Sequence, residues 1–205
     1  MPLTPDLAAF IRAALPPAPA RVLEVGAGDG ALAAALRDAG HEVVAIDPSP
    51  RGDGVDPTAL IDVAEPDGSF DAAVAVLSLH HVEPLEPSCR RLAELVRPAG
   101  RLVIDEFDIE ALDIAAAEWW IAQGTFAGRK RPDSAQTVVE EMHAHLHPVR
   151  TVRDALAGDF TLGDPVRGPY LHRWDLDPGL RDAEERLIAA GRLPATGARF
   201  VGTRR

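Results

Sequence analysis

Leu7, Phe10, Ile11 and Leu15 recur at helical spacing, so the pattern of apolar positions predicts a short helix over 7–15. Pro16-Pro17-Ala18-Pro19 ends it. The pattern then changes period. Residues 21–25 form a short apolar run that passes at once into Gly26-Ala27-Gly28-Asp29-Gly30. Residues 31–39 are helix formers closed by Gly40, and 42–46 read as a buried strand. The Gly-, Pro- and Asp-rich stretch 49–57 reads as loop, and 59–63 as a short strand. After a turn at 66–69, residues 70–77 are apolar without polar alternation, which is how a strand of a parallel sheet covered on both faces reads. A helix over 86–96, the turn Arg97-Pro98-Ala99-Gly100 and an apolar strand at 101–104 follow. This alternation predicts a doubly wound α/β sheet.

The second half has a different rhythm. Helical patterns cover 111–121, 134–146 and 151–157. Strand-like residues fill 162–174 with a break at Gly168-Pro169, a helix over 180–190 stops at Gly191, and 199–203 closes as a strand. No repeat and no linker divides the chain. The expectation is one domain over 1–205: a first half at 1–106, a helical insertion at 107–157, and C-terminal strands and helix at 158–205.

Composition narrows the function classes. A chain of 205 residues, 46% hydrophobic and 26% charged, buries roughly 70% of its unfolded surface and needs no staple to fold. The net charge of −11 makes nucleic acid and anionic membrane poor partners. The basic run Arg129-Lys130-Arg131 therefore reads as a solvated loop. The single cysteine, Cys89, excludes an internal disulfide framework and a multi-cysteine zinc site. The opening Met1-Pro2-Leu3-Thr4-Pro5-Asp6 carries no basic segment before an apolar run, and no stretch approaches a membrane span, so a cytoplasmic location is expected. Monomer and homodimer both stay open.

The candidate chemistry starts at the glycines. A strand turning sharply into a helix leaves the first helical N–H groups unpaired above the sheet, and glycines let a ligand approach them. Dinucleotide sites space these glycines as G-x-G-x-x-G, whereas here they fall at 26, 28 and 30. Glu24 stands just before them, where a carboxylate repels a pyrophosphate but suits a cationic ligand. Asp47 ends the next strand, where a carboxylate can accept from two ribose hydroxyls.

At these residues the sequence resembles the class I S-adenosylmethionine-dependent methyltransferases. Residues 24–30 look like that family's E/D-x-G-x-G-x-G motif, and Asp47 matches its ribose-binding acid. Ser69-Phe70-Asp71-Ala72-Ala73-Val74, Leu77-Ser78-Leu79-His80-His81-Val82 and Leu95-Val96-Arg97-Pro98-Ala99-Gly100-Arg101-Leu102 resemble, in order, the segments that open and close its fourth strand and precede its fifth. Ala99 replaces a usual glycine. These motifs cover about residues 20–106.

The resemblance implies a mostly parallel, seven-stranded Rossmann-like sheet with a helical lid after the fifth strand. It implies methyl transfer from S-adenosylmethionine to a small-molecule acceptor by in-line displacement, with S-adenosylhomocysteine as product. Glu24, Gly26, Ala27, Gly28 and Gly30 would form the methionine side of the pocket. Asp47 would hold the ribose, Pro48 would pack near adenine, and Leu77 would present backbone to the methionine amine. Asp62 and Val63 would lie at the adenine edge if 59–61 is the third strand, whereas Asp56 takes that place if the strand ends at Val55. Two other readings are a protein of this fold that binds the cofactor without methyl transfer, and a nicotinamide-dependent oxidoreductase.

The acceptor side is less constrained. His80 and His81 end the fourth strand and are candidates to orient or deprotonate an acceptor, against a role in capping and packing. Asp105 and Glu106 end the fifth strand, and Glu106 is the candidate base. His143 and His147 share a helical face at i, i+4, a spacing also used by zinc sites, but the accompanying glutamate is absent, so no metal is expected and both are candidate lid residues. Trp119 and Trp120 point about 100° apart on a helix, one for the core and one, taken as Trp120, for the pocket wall. Tyr170 and Trp174 are expected on one face of a strand.

Overall fold

The computed structural model describes residues 4–124, 131–174 and 176–205. Seven strands form one sheet: β1 Arg21–Val25, β2 Glu42–Ile46, β3 Phe70–Val76, β4 Val96–Phe107, β5 Phe160–Leu162, β6 Val166–Gly168 and β7 Gly197–Arg204. The order is β2-β1-β3-β4-β7-β5, with β6 also on β7. The first four strands are parallel. β7 is antiparallel to β4, and on its other edge it carries β6 along 197–199 and β5 along 202–204, both antiparallel. The sheet is therefore mixed rather than mostly parallel, because the chain returns through β7 between β4 and the two short strands.

Residue parity along the central strands sorts the layers. Ala72 and Val74 of β3 face one cluster with Leu7 and Ile11 of α1 (Pro5–Ala14) and Leu32 and Leu36 of α2 (Ala31–Asp38). Ala73 and Ala75 face the other, with Leu92 of α3 (Leu85–Leu95) and Val152 and Leu156 of α6 (Val149–Ala157). A third cluster gathers α4 (Ile114–Gln123), α5 (Ala135–His145), Phe107, Leu171 and the inner side of α7 (Arg181–Ala189). Helix α6 thus belongs to the main core, so the expected 107–157 insertion contains one helix that is part of the sheet's own covering layer.

Two expected strands are turns. Leu60–Asp62 is a short 3₁₀ helix. Leu60 and Val63 are buried while Ile61 and Asp62 are exposed, a spacing of three that no strand produces. Beyond β2 the sheet continues only as an isolated parallel bridge of Ile46 with Asp56. Thr58 then folds back, its N–H and hydroxyl both bonding to Asp56. The second case is Leu171–Arg173, again a 3₁₀ turn, so Tyr170 and Trp174 share no strand face. They still meet on Phe107, with ring centroids at 4.5 and 5.9 Å. Among the described residues no helix is long and apolar enough to cross a membrane.

Candidate active site

A cleft of about 620 Å³ opens at the carboxyl ends of β1, β2 and β3, within the size range of small-molecule and cofactor pockets. Its floor is the glycine loop. The N–H groups of Gly26 and Ala27 both donate to the Ile46 carbonyl at 2.9 Å, which pulls the loop onto β2. Asp47 locks the next part: its Oδ2 accepts from Gly28 N–H at 2.9 Å and its Oδ1 from Ser49 N–H at 2.8 Å. Each carboxylate oxygen keeps further acceptor capacity, and Asp47 and Pro48 line the cleft. Gly30 caps α2 in a left-handed conformation, so the loop delivers the helix start beneath the cleft.

Glu24 is the buried acid of the site. Its residue is 4% exposed, it lines the cleft, and its Oε2 has no hydrogen-bond partner among the described residues. Burial pushes its carboxyl up to about 8, against the pull of Arg37, with Asp29 and Asp47 adding to the rise. Across the cleft stand Leu77 and Ser78. Leu77 has φ +52°, a left-handed conformation that is costly for a branched side chain, and its N–H donates to the Asp105 carbonyl at 2.8 Å.

The turn that follows is organised by Glu106. This fully buried carboxylate accepts from Ser78 N–H at 3.1 Å, Leu79 N–H at 2.7 Å and the His80 ring at Nδ1. His80 and Glu106 are therefore directed away from the cleft lining, and both serve the turn, a correction to their expected catalytic placement. His81 lines the cleft from an exposed rim position. Partial burial, then the neighbouring His80, holds its imidazole below the ordinary 6.5, so it is mainly neutral at pH 7. Because Glu106 satisfies three buried donors at once, Glu106→Ala is expected to cost about 3 kcal/mol. In a chain of this size that lowers Tm by roughly 6–12 °C, measurable by calorimetry.

Comparison with protein families matches residues 3–157 to the family described as a methyltransferase domain. The chain belongs to this methyltransferase family. Among curated relatives, a ubiquinone biosynthesis O-methyltransferase of Xanthomonas axonopodis pv. citri is 32% identical over 136 residues, 57% of each chain. An uncharacterized methyltransferase of Mycobacterium tuberculosis is 38% identical over 98 residues, covering 43% of this chain and 40% of the relative. The chain thus spans about half the length of the curated relatives it matches. Among solved structures, an S-adenosylmethionine-dependent methyltransferase of Mesorhizobium loti shares the fold with TM-score 0.63 at 20% identity, covering 98% of this chain and 97% of that one. The Burkholderia thailandensis 1,6-didemethyltoxoflavin-N1-methyltransferase, solved with S-adenosylhomocysteine and its acceptor, gives TM-score 0.57 at 20% identity over 98% of this chain and 77% of that one.

Several expected site residues lie elsewhere. Asp62 and Val63 are outside the cleft lining, because the 3₁₀ turn points Asp62 to solvent and Val63 into the core; Thr58, Ala59 and Leu60 line that edge instead. Asp56, at the bridge to β2, is exposed and outside the lining too. Trp120 packs in the third cluster, stacked on Trp174 at 4.1 Å with its Nε1 donating to the Trp174 carbonyl at 2.7 Å. It is not a wall of the cleft; Trp119 packs only partly against the same cluster.

His143 is exposed on α5, and His147 lies beyond the end of that helix, so the two share no helical face. His147 instead straps the turn: its backbone N–H donates to the His80 carbonyl at 2.9 Å, and its Nε2 lies 2.9 Å from Glu83. Among the described residues no residue from 107–157 lines the cleft, and no three His, Cys, Asp or Glu side chains gather as a metal-binding group. Of the basic run, Arg129 and Lys130 lie outside the described residues and Arg131 is exposed.

The sequence reading missed Leu7, Arg51 and Ser78 as cleft residues. Leu7 reads as helix core and Arg51 as one cation in a loop. Ser78 was visible only as part of a motif, yet it is buried against Gly26 with a hydroxyl that has no partner among the described residues.

Proposed function

We propose that this chain is an S-adenosylmethionine-dependent methyltransferase acting on a small-molecule acceptor, its cofactor lying in the cleft at the ends of β1 to β3. The observation that carries the reading is Glu24, a buried carboxyl group with one oxygen unpartnered among the described residues, at the base of a glycine loop and beside an Asp47 whose oxygens remain available. That acceptor set fits a cationic ligand with vicinal hydroxyls and, once Glu24 ionises, repels a pyrophosphate, which weighs against a nicotinamide cofactor. The cofactor supplies the chemistry when bound: a methyl group activated on a sulfonium, with a neutral leaving group.

The chain's own residues bind, orient and exclude water. Asp47 accepts from the ribose hydroxyls, and Gly26 and Gly28 allow close approach of the backbone. Glu24 supplies the counter-charge, and Pro48, Ala59 and Leu60 form the apolar side near the adenine. The rate then comes from alignment of the acceptor with the methyl group, so the acceptor side needs a base only where the acceptor is protonated. His81, neutral and on the cleft rim, is placed to take or hold that proton at its imidazole. Relatives described as acting in ubiquinone biosynthesis and on 1,6-didemethyltoxoflavin support the small-molecule class. We place the acceptor cover in α4 and α5, leaving α6 in the core, and treat 1–205 as one catalytic unit.

The test is a labelled-methyl transfer assay over phenol, amine and thiol acceptors. Turnover is expected with at least one class. His81→Gln is expected to lower kcat by about 100-fold and to remove an acid limb below pH 6.5, with S-adenosylhomocysteine affinity held within about threefold. Cofactor binding with no transfer to any acceptor would favour the binding-only reading. An unchanged kcat in the variant would remove His81 from the reaction.

A further inference from the structure

A second cavity, of about 190 Å³, lies at the carboxyl end of β4 between the start of α1 and the turn Leu171–Arg173. Its charged lining is a relay. Arg173 Nη1 donates to Asp105 at 2.8 Å, and Arg199 Nε reaches the other Asp105 oxygen at 3.3 Å. Arg199 Nη1 donates to Asp6 at 2.8 Å, and Arg181 closes on the other Asp6 oxygen. Three guanidinium groups thus share two carboxylates, and the inner end of the relay is a cation. At the outer end, Arg181 also meets the exposed Glu185. Arg167, on the cavity's far side, pairs with Asp108.

The inner end has no such relief. The Arg173 side chain is 5% exposed, and its Nε and Nη2 have no hydrogen-bond partner among the described residues. Nε–H and Nη2–H flank one edge of the guanidinium, the edge that takes a carboxylate through two parallel hydrogen bonds. The Tyr170 ring lies 5.7 Å from Cζ, a cation–π contact on the face of the guanidinium group and not on its edge. Leaving two buried charged donors unmet is costly, and the position is fixed rather than slack. Arg173 sits on a turn held by Glu184, which accepts from the N–H groups of Tyr170, Leu171 and His172 and from the His172 ring at 2.7–2.9 Å. Burial raises Glu184, but these bonds outweigh it and hold the carboxyl below its ordinary range.

We propose that this cavity binds the carboxylate of a small organic acid on the free edge of Arg173. The Arg173 edge presents two parallel N–H donors, a geometry that one carboxylate satisfies in full. The volume equals about six waters' share of liquid, room for a carboxylate and a few carbons. The cavity is linked to the cofactor cleft through the backbone. The Asp105 carbonyl accepts from Leu77, which lines the cleft, and Leu7 of α1, also a cleft residue, follows Asp6 in the chain. The carboxylate belongs either to the methyl acceptor, which rests on the methyltransferase reading, or to a separate organic acid, which does not.

The experiment titrates the full chain with propionate, and with methylphosphonate and chloride at matched ionic strength. It follows Tm and the arginine Nε–H resonances by NMR. Propionate is expected to raise Tm saturably and to shift one buried arginine resonance. In Arg173→Lys, which keeps the charge and the Asp105 partner but loses the two-point edge, propionate binds at least tenfold more weakly. No saturable response in the wild type overturns the proposal, as does an unchanged affinity in the variant. An equal response to methylphosphonate overturns the carboxylate assignment. The wild-type NMR titration decides even if the variant fails to fold. Competition then separates the sources. Propionate inhibition of a carboxylate-bearing acceptor, with KM raised and kcat kept in Arg173→Lys, supports the site as the acceptor's. Propionate binding without effect on any acceptor's KM supports it as a site for a separate acid.

Discussion

Gly26→Ala is expected to weaken S-adenosylhomocysteine binding at least 100-fold and to cost about 3 kcal/mol of stability. Two independent penalties meet at this position. Gly26 has φ +73°, a conformation that costs an L-residue roughly 1–2 kcal/mol. An added Cβ would also stand 2.3 Å from the Ser78 Cβ, which no real contact allows, so the loop or the β3 turn must move. Either movement shifts the N–H groups of Gly26 and Ala27 off Ile46 and the loop off Asp47. Gly191→Ala is the control. Its φ of +66° carries the same conformational cost, but nothing lies within 4 Å of the added carbon. It is expected to lose about 1 kcal/mol and no cofactor affinity. Isothermal titration beside thermal melts measures both, and wild-type affinity in Gly26→Ala would show that the loop does not cradle the ligand.

The second large effect is a pH dependence set by Glu24. With its carboxyl held at about 8, Glu24 is protonated near neutrality in the cofactor-free protein. A cationic ligand selects the ionised form. Affinity for S-adenosylmethionine is therefore expected to rise with pH, by up to tenfold per unit, and to level off above about 8. Binding below that point releases a proton, detected by titrating in buffers of different ionisation enthalpy. Glu24→Gln is expected to abolish the release and flatten the profile.

Stability follows the opposite sign from a salt-bridged acid. Between the ordinary 4.5 and about 8 the native state keeps a proton that the unfolded chain gives up. The Glu24 contribution thus weakens as pH rises through this window and is constant above it. Glu24→Gln removes that decline, so melts at pH 6 and 8.5 should differ less in the variant than in the wild type. An unchanged pH profile in Glu24→Gln would place the titration elsewhere.

What could be read before the fold was known depended on whether spacing alone carried the information. The glycines at 26, 28 and 30, with Glu24 and Asp47, are fixed to strand ends and so converge whatever the rest does. Asp62 failed because a strand and a 3₁₀ turn differ by one residue in their burial period, and Ala59 to Val63 is too short to distinguish them. His80 and His81 are adjacent in sequence, yet only the turn decides which one meets Glu106 and which meets the cleft. The parity of β4 similarly sends Glu106 toward the α3 side with Ile104, while Asp105 joins the arginine relay near α1. Trp119 and Trp120 both pack against the third cluster, and the more buried of the two is the one expected on the pocket wall. Helix α6 looked like part of the insertion because its core partners on α3 lie far back in the chain.

The most direct test is calorimetric titration of the purified chain with S-adenosylmethionine and S-adenosylhomocysteine, with NAD and NADP as controls. The assignment predicts micromolar binding of the first pair and none of the second, lost in Asp47→Ala and partly kept in Asp47→Asn, which retains one acceptor oxygen. Binding of a nicotinamide cofactor, or no binding of any of the four by a folded sample, would contradict it.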